Sequence, residues 1–394
     1  LEESQQKSRE IEQLAEQQDV QLRLLHLKTY FNLSDFEYKA FLICLLPSLD
    51  LRYERIYGFL QDDVTKKQAG VDLILNILDD GTDGISRLQK LGDFSITGTL
   101  VRYRIIRGVN SSGEWQEPKL NQLFEVSPAV VAWLMGDYFP EENWLHLRRL
   151  ERLQEDVQNS PFFSELNIDW QKVIDHRPLL AFDGPDETSM ELAAQKIAVL
   201  FGMPLLEVDL RTFAEDESFS LAMLRLFIRD ACILEGIPYI QGFERLLDND
   251  GFVKEDFLDE MSYFAGIFIL GSLHPWRLSS RGGDKLVFRN HFPQPTGVER
   301  QRIWEKFLGS ETDLSTETLR YIAGQFTLTG GQIENAVFSV QSSSIQTGEP
   351  ISDEDLYLAA RQQSSHHLGK LAQKIDSRYS WNDIVLPQEE LDTL

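Results

Sequence analysis

The segment between residues 179 and 210 constrains the fold more than any other part of the chain. It reads LLAFDGPDETSMELAAQKIAVLFGMPLLEVDL: an apolar run, a turn with Gly184 and Pro185, a helical pattern and, after Gly202, a second apolar run. Apolar runs on both sides of an amphipathic helix are typical of two parallel strands joined by a helix. Because the alternation of strands and helices continues, the sequence predicts a parallel α/β domain from residue 161 onwards.

The turn has the spacing of a phosphate-binding P-loop without its chemistry. A P-loop, G-x-x-x-x-G-K-[ST], uses backbone N–H groups and a lysine to hold phosphates, and a hydroxyl to hold Mg²⁺. With Gly184 at the first glycine, the remaining key positions hold Ser189, Met190 and Glu191. Carboxylates in the loop would repel a polyphosphate by several kcal/mol, roughly, at short range. We predict a turn that keeps its shape but binds no nucleotide, over Gly184, Pro185, Asp186, Glu187, Thr188, Ser189, Met190 and Glu191.

Two later apolar runs end where a nucleotide hydrolase carries catalytic groups. IPYIQG ends in Gln241 and Gly242, at the places of a metal-positioning Asp and a water-activating Glu. YFAGIFILGSLHPW ends near Leu273, at the place of an Asn that senses the γ-phosphate. Since metal and water positioning supply most of the catalysis of phosphoryl transfer, we predict no catalytic residue, no hydrolysis and no bound cofactor in this segment.

Three phrases in the right order carry a family resemblance: the Gly-Pro turn, FRNHFPQPTGVERQRIWEKFL and LTGGQIENAV. From Pro178 to Ala360 the chain resembles an AAA ATPase module, with an α/β subdomain and a small helical lid. With its N-terminal region, the chain resembles bacterial tandem AAA ATPases, some of them encoded beside contractile injection systems. The resemblance implies a ring-forming homo-oligomer, such as a hexamer. It also implies a second, active module using ATP and Mg²⁺, which the tail IDSRYSWNDIVLPQEELDTL would lead into.

The region before this module has the order of a winged-helix domain. Ser34 and Glu37 have capping-box spacing ahead of an apolar helix, and further helical patterns follow. LVRYRIIRG then alternates between apolar residues and arginines, which predicts a strand with one wet face and a hairpin with a long tip. Helices followed by such a hairpin are typical of winged-helix domains, many of which bind DNA.

The charges favour a protein partner over nucleic acid. Arg102, Arg104 and Arg107 could face phosphates, but the helical region before the hairpin is acidic and the net charge of the chain is −25. The winged helix also precedes the AAA module, whereas in replication initiators it follows. Partner docking is therefore the leading interpretation, and a nucleic-acid-binding regulator or loader is the alternative.

Several smaller features complete the expectations. Arg281 and Arg289 are candidates for subunit-interface contacts, and His366-His367 is interpreted as linker rather than metal site. Cys44 and Cys232 lie in apolar runs, which indicates buried thiols and, with no membrane-spanning run, a cytoplasmic protein. The predicted division is an N-terminal helix at 1–30, a winged-helix-like domain at 31–140, a helical connector at 141–160, the α/β subdomain at 161–308, the lid at 309–363 and a linker at 364–394.

We therefore expect the non-hydrolysing N-terminal half of an AAA ATPase. It would dock a partner or substrate and build a ring tier for an active second module that drives remodelling or disassembly. A second alternative is that the segment still binds ATP without hydrolysing it.

Overall fold

The computed structural model describes residues 6–7, 14–15, 22–78, 84–109, 120–140, 147–150, 178–213, 219–277, 286–309 and 315–371. The chain forms two compact units, Leu1–Phe292 and Pro293–Leu394. Each unit is described by itself below. Much of the predicted helix at 1–30 lies outside the described residues.

The first unit opens with helices and a small antiparallel sheet. The elements are α1 (Arg23–Tyr30), α2 (Asp35–Leu49), α3 (Arg52–Leu60), β1 (Ala69–Gly70), α4 (Val71–Leu78), α5 (Gly84–Gly92), α6 (Thr99–Arg102), β2 (Ile106–Gly108), β3 (Leu123–Val126) and α7 (Pro128–Met135). The sheet order is β1-β3-β2. The predicted capping box is present, because the Ser34 hydroxyl accepts from Glu37 N–H and the Glu37 carboxylate accepts from Ser34 N–H.

The predicted strand over LVRYRIIRG was too long. Residues 99–102 are helical, Arg104 has φ +46°, and the strand begins only at Ile106. The alternation of apolar residues misled because Tyr103 and Ile105 are both buried by a tight turn rather than by a pleated strand. Tertiary burial therefore decides the local conformation here, against the two-residue period.

The second part of this unit is a sheet covered on both faces. Its elements are β4 (Leu147–Leu150), β5 (Leu179–Asp183), α8 (Glu187–Phe201), β6 (Leu205–Asp209), α9 (Leu221–Ile233), β7 (Ile237–Gln241), α10 (Glu255–Tyr263), β8 (Phe268–Ser272) and β9 (Val287–His291). The order is β4-β6-β7-β8-β5-β9, with β4 antiparallel and the other five strands parallel. The parallel α/β prediction is confirmed.

The helical connector predicted at 141–160 was wrong at residues 147–150. These residues form an edge strand, with Leu147 opposite Val208 and Leu150 opposite Leu205. An edge position needs pairing on one side only, so a short polar segment can add to the sheet. The other connector residues lie outside the described part of the chain.

Alternate residues of each central strand point to different apolar clusters. Leu180 and Phe182 pack with Ile197 of α8, whereas Leu179 and Ala181 belong to a cluster that includes α9 and α10. The second cluster continues without a break into the winged-helix part. The winged-helix part and the sheet are therefore packed on a common core.

The described part of the second unit contains four helices: α11 (Gly297–Leu308), α12 (Thr316–Gln325), α13 (Gly330–Thr347) and α14 (Asp353–Leu371). Trp304 is fully buried at its centre, with Ile322, Ile333 and Leu356. This unit begins at Pro293, so α11 lies in it and not in the α/β subdomain that was predicted to end at 308. The helix α14 extends through 364–371, and residues 372–394 of the predicted linker lie outside the described part.

Candidate functional site

The turn that follows β5 is short and tightly packed. Only Gly184, Pro185 and Asp186 separate the end of the strand from the first residue of α8. Gly184 has φ +132°, and a Cβ placed there would lie 2.2 Å from the carbonyl oxygen of Phe292. Its N–H donates to the carbonyl of Ser272 at 3.1 Å. A glycine is therefore required at this position by backbone packing, independently of any ligand.

The carboxylate of Asp186 occupies the N-terminus of α8. Oδ1 accepts the backbone N–H of Ser189 at 3.0 Å, and Oδ2 accepts the Ser189 hydroxyl at 2.6 Å. The Asp186 residue is only 3% exposed. Free N–H groups at a helix start, together with the helix dipole, are what bind a phosphate in a P-loop. Here an anion of the protein itself already fills that role.

A guanidinium joins this helix to the neighbouring strand ends. Arg211, just beyond β6, forms an ion pair with Glu187 of α8, bonds Asp209 Oδ1 at 2.8 Å and donates to Gln241 Oε1 at 3.0 Å. Gln241 in turn donates to Glu207 Oε1 at 2.6 Å. Burial alone would lower the pKa of Arg211, but its bonds to Asp209 and Glu187 outweigh burial and hold the pKa above the ordinary value. The guanidinium therefore stays charged.

Little space remains between the turn and the strand ends. The cavity there has a volume of about 10 Å³, enough for a single water molecule. Met190, at the lysine position of a P-loop, is buried in the apolar cluster of the sheet. Tyr239 is buried as well, and desolvation followed by nearby carboxylates raises its pKa well above the ordinary value. The cavity is lined by Glu187, Met190, Arg211, Tyr239, Gln241, Gly242, Glu244, Gly271, Ser272 and Leu273.

Gln241, Gly242 and Leu273, which stand at the positions for metal placement, water activation and γ-phosphate sensing, thus line one cavity. Gly242 lies against Arg211, since a Cβ there would be 2.8 Å from Arg211 Cγ. Leu273 offers its backbone N–H to Glu244 Oε2 at 3.1 Å. The sequence-based prediction brought these residues together but missed Arg211 and Glu207. A signal was present for Glu207, because it is an acidic residue inside the apolar run of β6.

Arg289, a candidate for subunit-interface contacts, is exposed. Its guanidinium carbon lies 4.6 Å from the ring centroid of Trp276. Arg281 lies outside the described residues, and His366 and His367 lie in α14. Within the described ranges, no group of His, Cys, Asp and Glu could hold a metal ion. Cys44 and Cys232 are free and buried, and burial raises the pKa of Cys44 to about 12.

Two of the three arginines of the hairpin region, Arg102 and Arg107, use their side chains in ion pairs, whereas the side chain of Arg104 is exposed. Arg102 donates to both oxygens of Glu260 in α10, at 3.1 and 2.8 Å, and Glu260 is 1% exposed. The carbonyl of Arg104 accepts from the buried Arg229 at 3.2 Å. Arg107 pairs with Glu125 at 2.8 Å across the hairpin. The solvated row of arginines expected from the sequence is thus wrong for Arg102, whose side chain joins the two halves of the first unit.

Comparison with known proteins agrees with this architecture. A family model described as winged helix domain, variant, matches residues 1–143, and one described as contractile injection system ATPase helical domain matches residues 296–366. Both matches agree with the resemblance drawn from the sequence. The order along the chain is a helical region with a small antiparallel sheet, a mainly parallel α/β sheet and a helical unit.

Similarity to individual proteins is distant. The crystal structure of the FIGL-1 AAA domain matches at 13% identity and TM-score 0.32, over 49% of this chain and 75% of that one. The same domain in complex with ADP matches at 13% identity and TM-score 0.37, over 64% and 91%. No curated protein sequence matches the chain. Across the described residues, no helix has the length and apolar character needed to cross a membrane.

Proposed function

We propose that this chain is a non-hydrolysing AAA module that docks a protein partner and helps to assemble a ring, in the cytoplasm, for an active ATPase module. The observation that carries the proposal is the Asp186 carboxylate bonded to the start of α8, where a phosphate would have to lie. A nucleotide would have to displace this cap and separate Glu187 from Arg211. It would also bring its phosphates beside Asp186, Glu187 and Asp209.

The electrostatic cost of such a complex is large. A phosphate oxygen about 4 Å from one carboxylate is repelled by roughly 4 kcal/mol per unit charge at the effective dielectric of a protein surface. No lysine compensates, because Met190 stands at that position and is buried in the apolar cluster. Loss of hydrolysis and loss of binding therefore have the same physical origin.

The binding test is a calorimetric titration of the folded chain with ATP and with ADP, each in excess Mg²⁺. We expect no heat of binding for either nucleotide. A double variant, Asp186→Asn with Glu187→Gln, is the matched control, since it keeps the side-chain shapes and removes two of the repelling charges. Micromolar affinity of the unaltered chain for ATP would disprove the proposal.

Assembly is proposed from the fold, supported by the match of the helical unit to contractile injection system ATPases. AAA modules pack side by side, and an inert module keeps this property while a second module supplies ATP hydrolysis with Mg²⁺. Native mass spectrometry of the longer protein tests this step. A strictly monomeric state in the presence of ATP would contradict ring assembly, whatever the outcome of the titration.

A protein partner is favoured over nucleic acid by the winged-helix surface. The helix α5, which precedes the hairpin, exposes Ile85 and Leu88 at 68% and 70%. Its arginine, Arg87, donates to Asp72 at 2.9 Å and so is not free for a phosphate. Arg102 is likewise engaged, by Glu260, whereas Arg104 is exposed. A gel shift with duplex DNA at low and moderate salt should show no complex, and a salt-sensitive complex would support the nucleic-acid alternative.

A further inference from the structure

The winged-helix part of the first unit, from α1 to α7, shares its core with the sheet part, from β4 to β9. One apolar cluster contains Phe41 of α2 and Trp133 of α7 together with Leu224 of α9 and Phe268 of β8. An independent domain closes its own core and meets its neighbour through a more polar interface. Here the apolar cluster instead continues from one part into the other.

A buried carboxylate joins the end of α6 to the sheet part. Arg102 donates to both oxygens of Glu260 in α10, at 3.1 and 2.8 Å, and Arg225 of α9 donates to the same carboxylate at 2.8 Å. The guanidinium carbon of Arg102 also lies 4.8 Å from the ring centroid of Tyr263. Glu260 is 1% exposed, and breaking a buried charged pair costs much more than breaking an exposed one. Movement of the winged-helix part away from α10 would have to break these bonds.

A second buried charge holds the turn that follows α6. Arg229 of α9 donates to the carbonyl of Arg104 at 3.2 Å and to the hydroxyl of Ser127 at 3.3 Å. It also donates to Asp230 at 2.8 Å, and both of these charged residues are fully buried. Arg104 has φ +46°, a conformation that a residue other than glycine keeps only where its surroundings hold it. A helix of the sheet part therefore fixes the turn that leads into the hairpin.

The helix α1 is attached to the sheet part as well. The Nε2 atom of His26 lies 3.2 Å from the carbonyl oxygen of Cys232 in α9, and Nδ1 lies 3.2 Å from Glu235 Oε1. His26 is 6% exposed. The attachments at His26, Arg102 and Ser127 come from separate segments of the winged-helix part. Attachment at several separate points restrains rotation as well as separation.

We infer that the winged-helix part is a fixed arm of the sheet part: it folds and unfolds together with the sheet and keeps one orientation to it. The alternative is an arm that swings as a separate body. Swinging would require the bonds of Glu260 and Arg229 to open while both parts stay folded. One consequence rests on the proposed docking function, because a partner bound to a fixed arm is held at a constant orientation to the sheet.

Hydrogen exchange of the unaltered chain tests whether the two parts unfold together. Mass spectrometry follows the most slowly exchanging peptides of α2, in the winged-helix part, and of β7, at the centre of the sheet, over a series of low urea concentrations. We expect both to show the same dependence on urea, because they open in one event. Loss of protection in α2 at urea concentrations that leave β7 protected would overturn the inference.

Variants on the winged-helix side show whether its bonds stabilise the sheet. Arg102→Met should lower the protection of β7 about tenfold or more, since it breaks a buried pair. The matched control, Arg107→Met, breaks the more exposed pair with Glu125 and should lower this protection less than about fivefold. A loss of protection confined to the winged-helix part in the Arg102 variant would contradict joint unfolding.

The fixed orientation is measured by electron paramagnetic resonance between nitroxide labels on Gln89→Cys in α5 and Asp259→Cys in α10. Both positions are exposed, whereas the native cysteines are buried and escape labelling. The distance distribution should have one maximum and the same width as a control pair within the sheet part, Leu200→Cys with Asp259→Cys. A broader or two-peaked distribution would overturn the inference. These measurements involve neither a nucleotide nor a docked partner, so the proposed function is tested separately.

Discussion

Asp186 acts as an internal ligand for Ser189: one carboxylate accepts both the backbone N–H, at 3.0 Å, and the hydroxyl, at 2.6 Å. An N-terminal cap of this kind is common in helices, but here it lies at the one helix start that a nucleotide would need. The cap stabilises the start of α8 and, on the proposed function, excludes a nucleotide from the turn.

Arg211→Met should lower the free energy of unfolding by about 3 kcal/mol, because the variant leaves a cluster of carboxylates without its partly buried cation. The carboxylates concerned are those of Glu187 and Asp209. Urea unfolding followed by circular dichroism measures the change. Arg52→Met is the control, since Arg52 pairs with Asp50 but is 86% exposed, and should cost less than about 1 kcal/mol. Equal effects in the two variants would contradict a structural role for Arg211.

Glu260→Ala should destabilise the first unit by about 3 kcal/mol or more, since it leaves two arginines without their buried partner. Arg102 and Arg225 both donate to this carboxylate, each at 2.8 Å. The control is Glu125→Ala, which removes the exposed partner of Arg107 and should cost about 1 kcal/mol at most. The midpoint of thermal unfolding is the measurement. A shift no larger than that of the control would show that the bonds of Arg102 and Arg225 to Glu260 add little to stability.

Asp93→Asn should stabilise the protein near neutral pH and lose this advantage in acid. Burial, followed by the charge of Glu37, raises the pKa of Asp93 from 3.8 to about 6. The folded chain therefore takes up a proton below about pH 6 that the unfolded chain takes up only near pH 4, so acidification over this window stabilises the parent chain at this site. The free energy of unfolding as a function of pH measures the difference between variant and parent.

The control for this pH dependence has the opposite sign. Lys28 donates a hydrogen bond to Asp35 and lowers the pKa of that exposed carboxyl. Asp35→Asn should therefore be slightly destabilising near neutral pH. This destabilisation should disappear as the pH falls below the ordinary pKa of an aspartate. Stability differences of the same sign in both variants would contradict the environments described for the two residues.

Gly184→Ala should cost at least about 3 kcal/mol, because the new methyl group meets rigid backbone and the residue keeps a strained φ. Gly202→Ala, at φ +66° with open space around the site, should cost only about 1 kcal/mol, the penalty of a left-handed residue. Urea unfolding separates the two values. Similar costs would mean that the turn after β5 can shift away from Phe292.

Much of the fold could be predicted from the sequence because its signals are local. The capping box at Ser34 and Glu37, the apolar runs of the parallel strands and the helix between them all depend on neighbouring residues. The short strand at 147–150 could not be found, since its pairing with β6 is a long-range contact with weak local preference. The strand predicted over residues 100–108 was too long for a related reason. The alternation of apolar residues fits a strand, but a turn buries Tyr103 and Ile105.

The positions that line the site could be predicted from the sequence, but the contacts among their side chains could not. Spacing placed Met190, Gln241 and Leu273 at the functional positions, and the structure brings them to one cavity. Spacing could not show that Asp186 would cap α8, or that Arg211 would reach Glu187, because those contacts depend on side-chain directions across the turn. That the site binds no nucleotide stays a prediction.

The most direct test of the central claim is a crystal structure of this chain grown with Mg²⁺ and a non-hydrolysable ATP analogue in excess. The account predicts no triphosphate at the turn, with Asp186 still bonded to Ser189 and Arg211 still paired with Glu187. A triphosphate bound between Gly184 and Gln241, with the Asp186 carboxylate displaced from the start of α8, would contradict it.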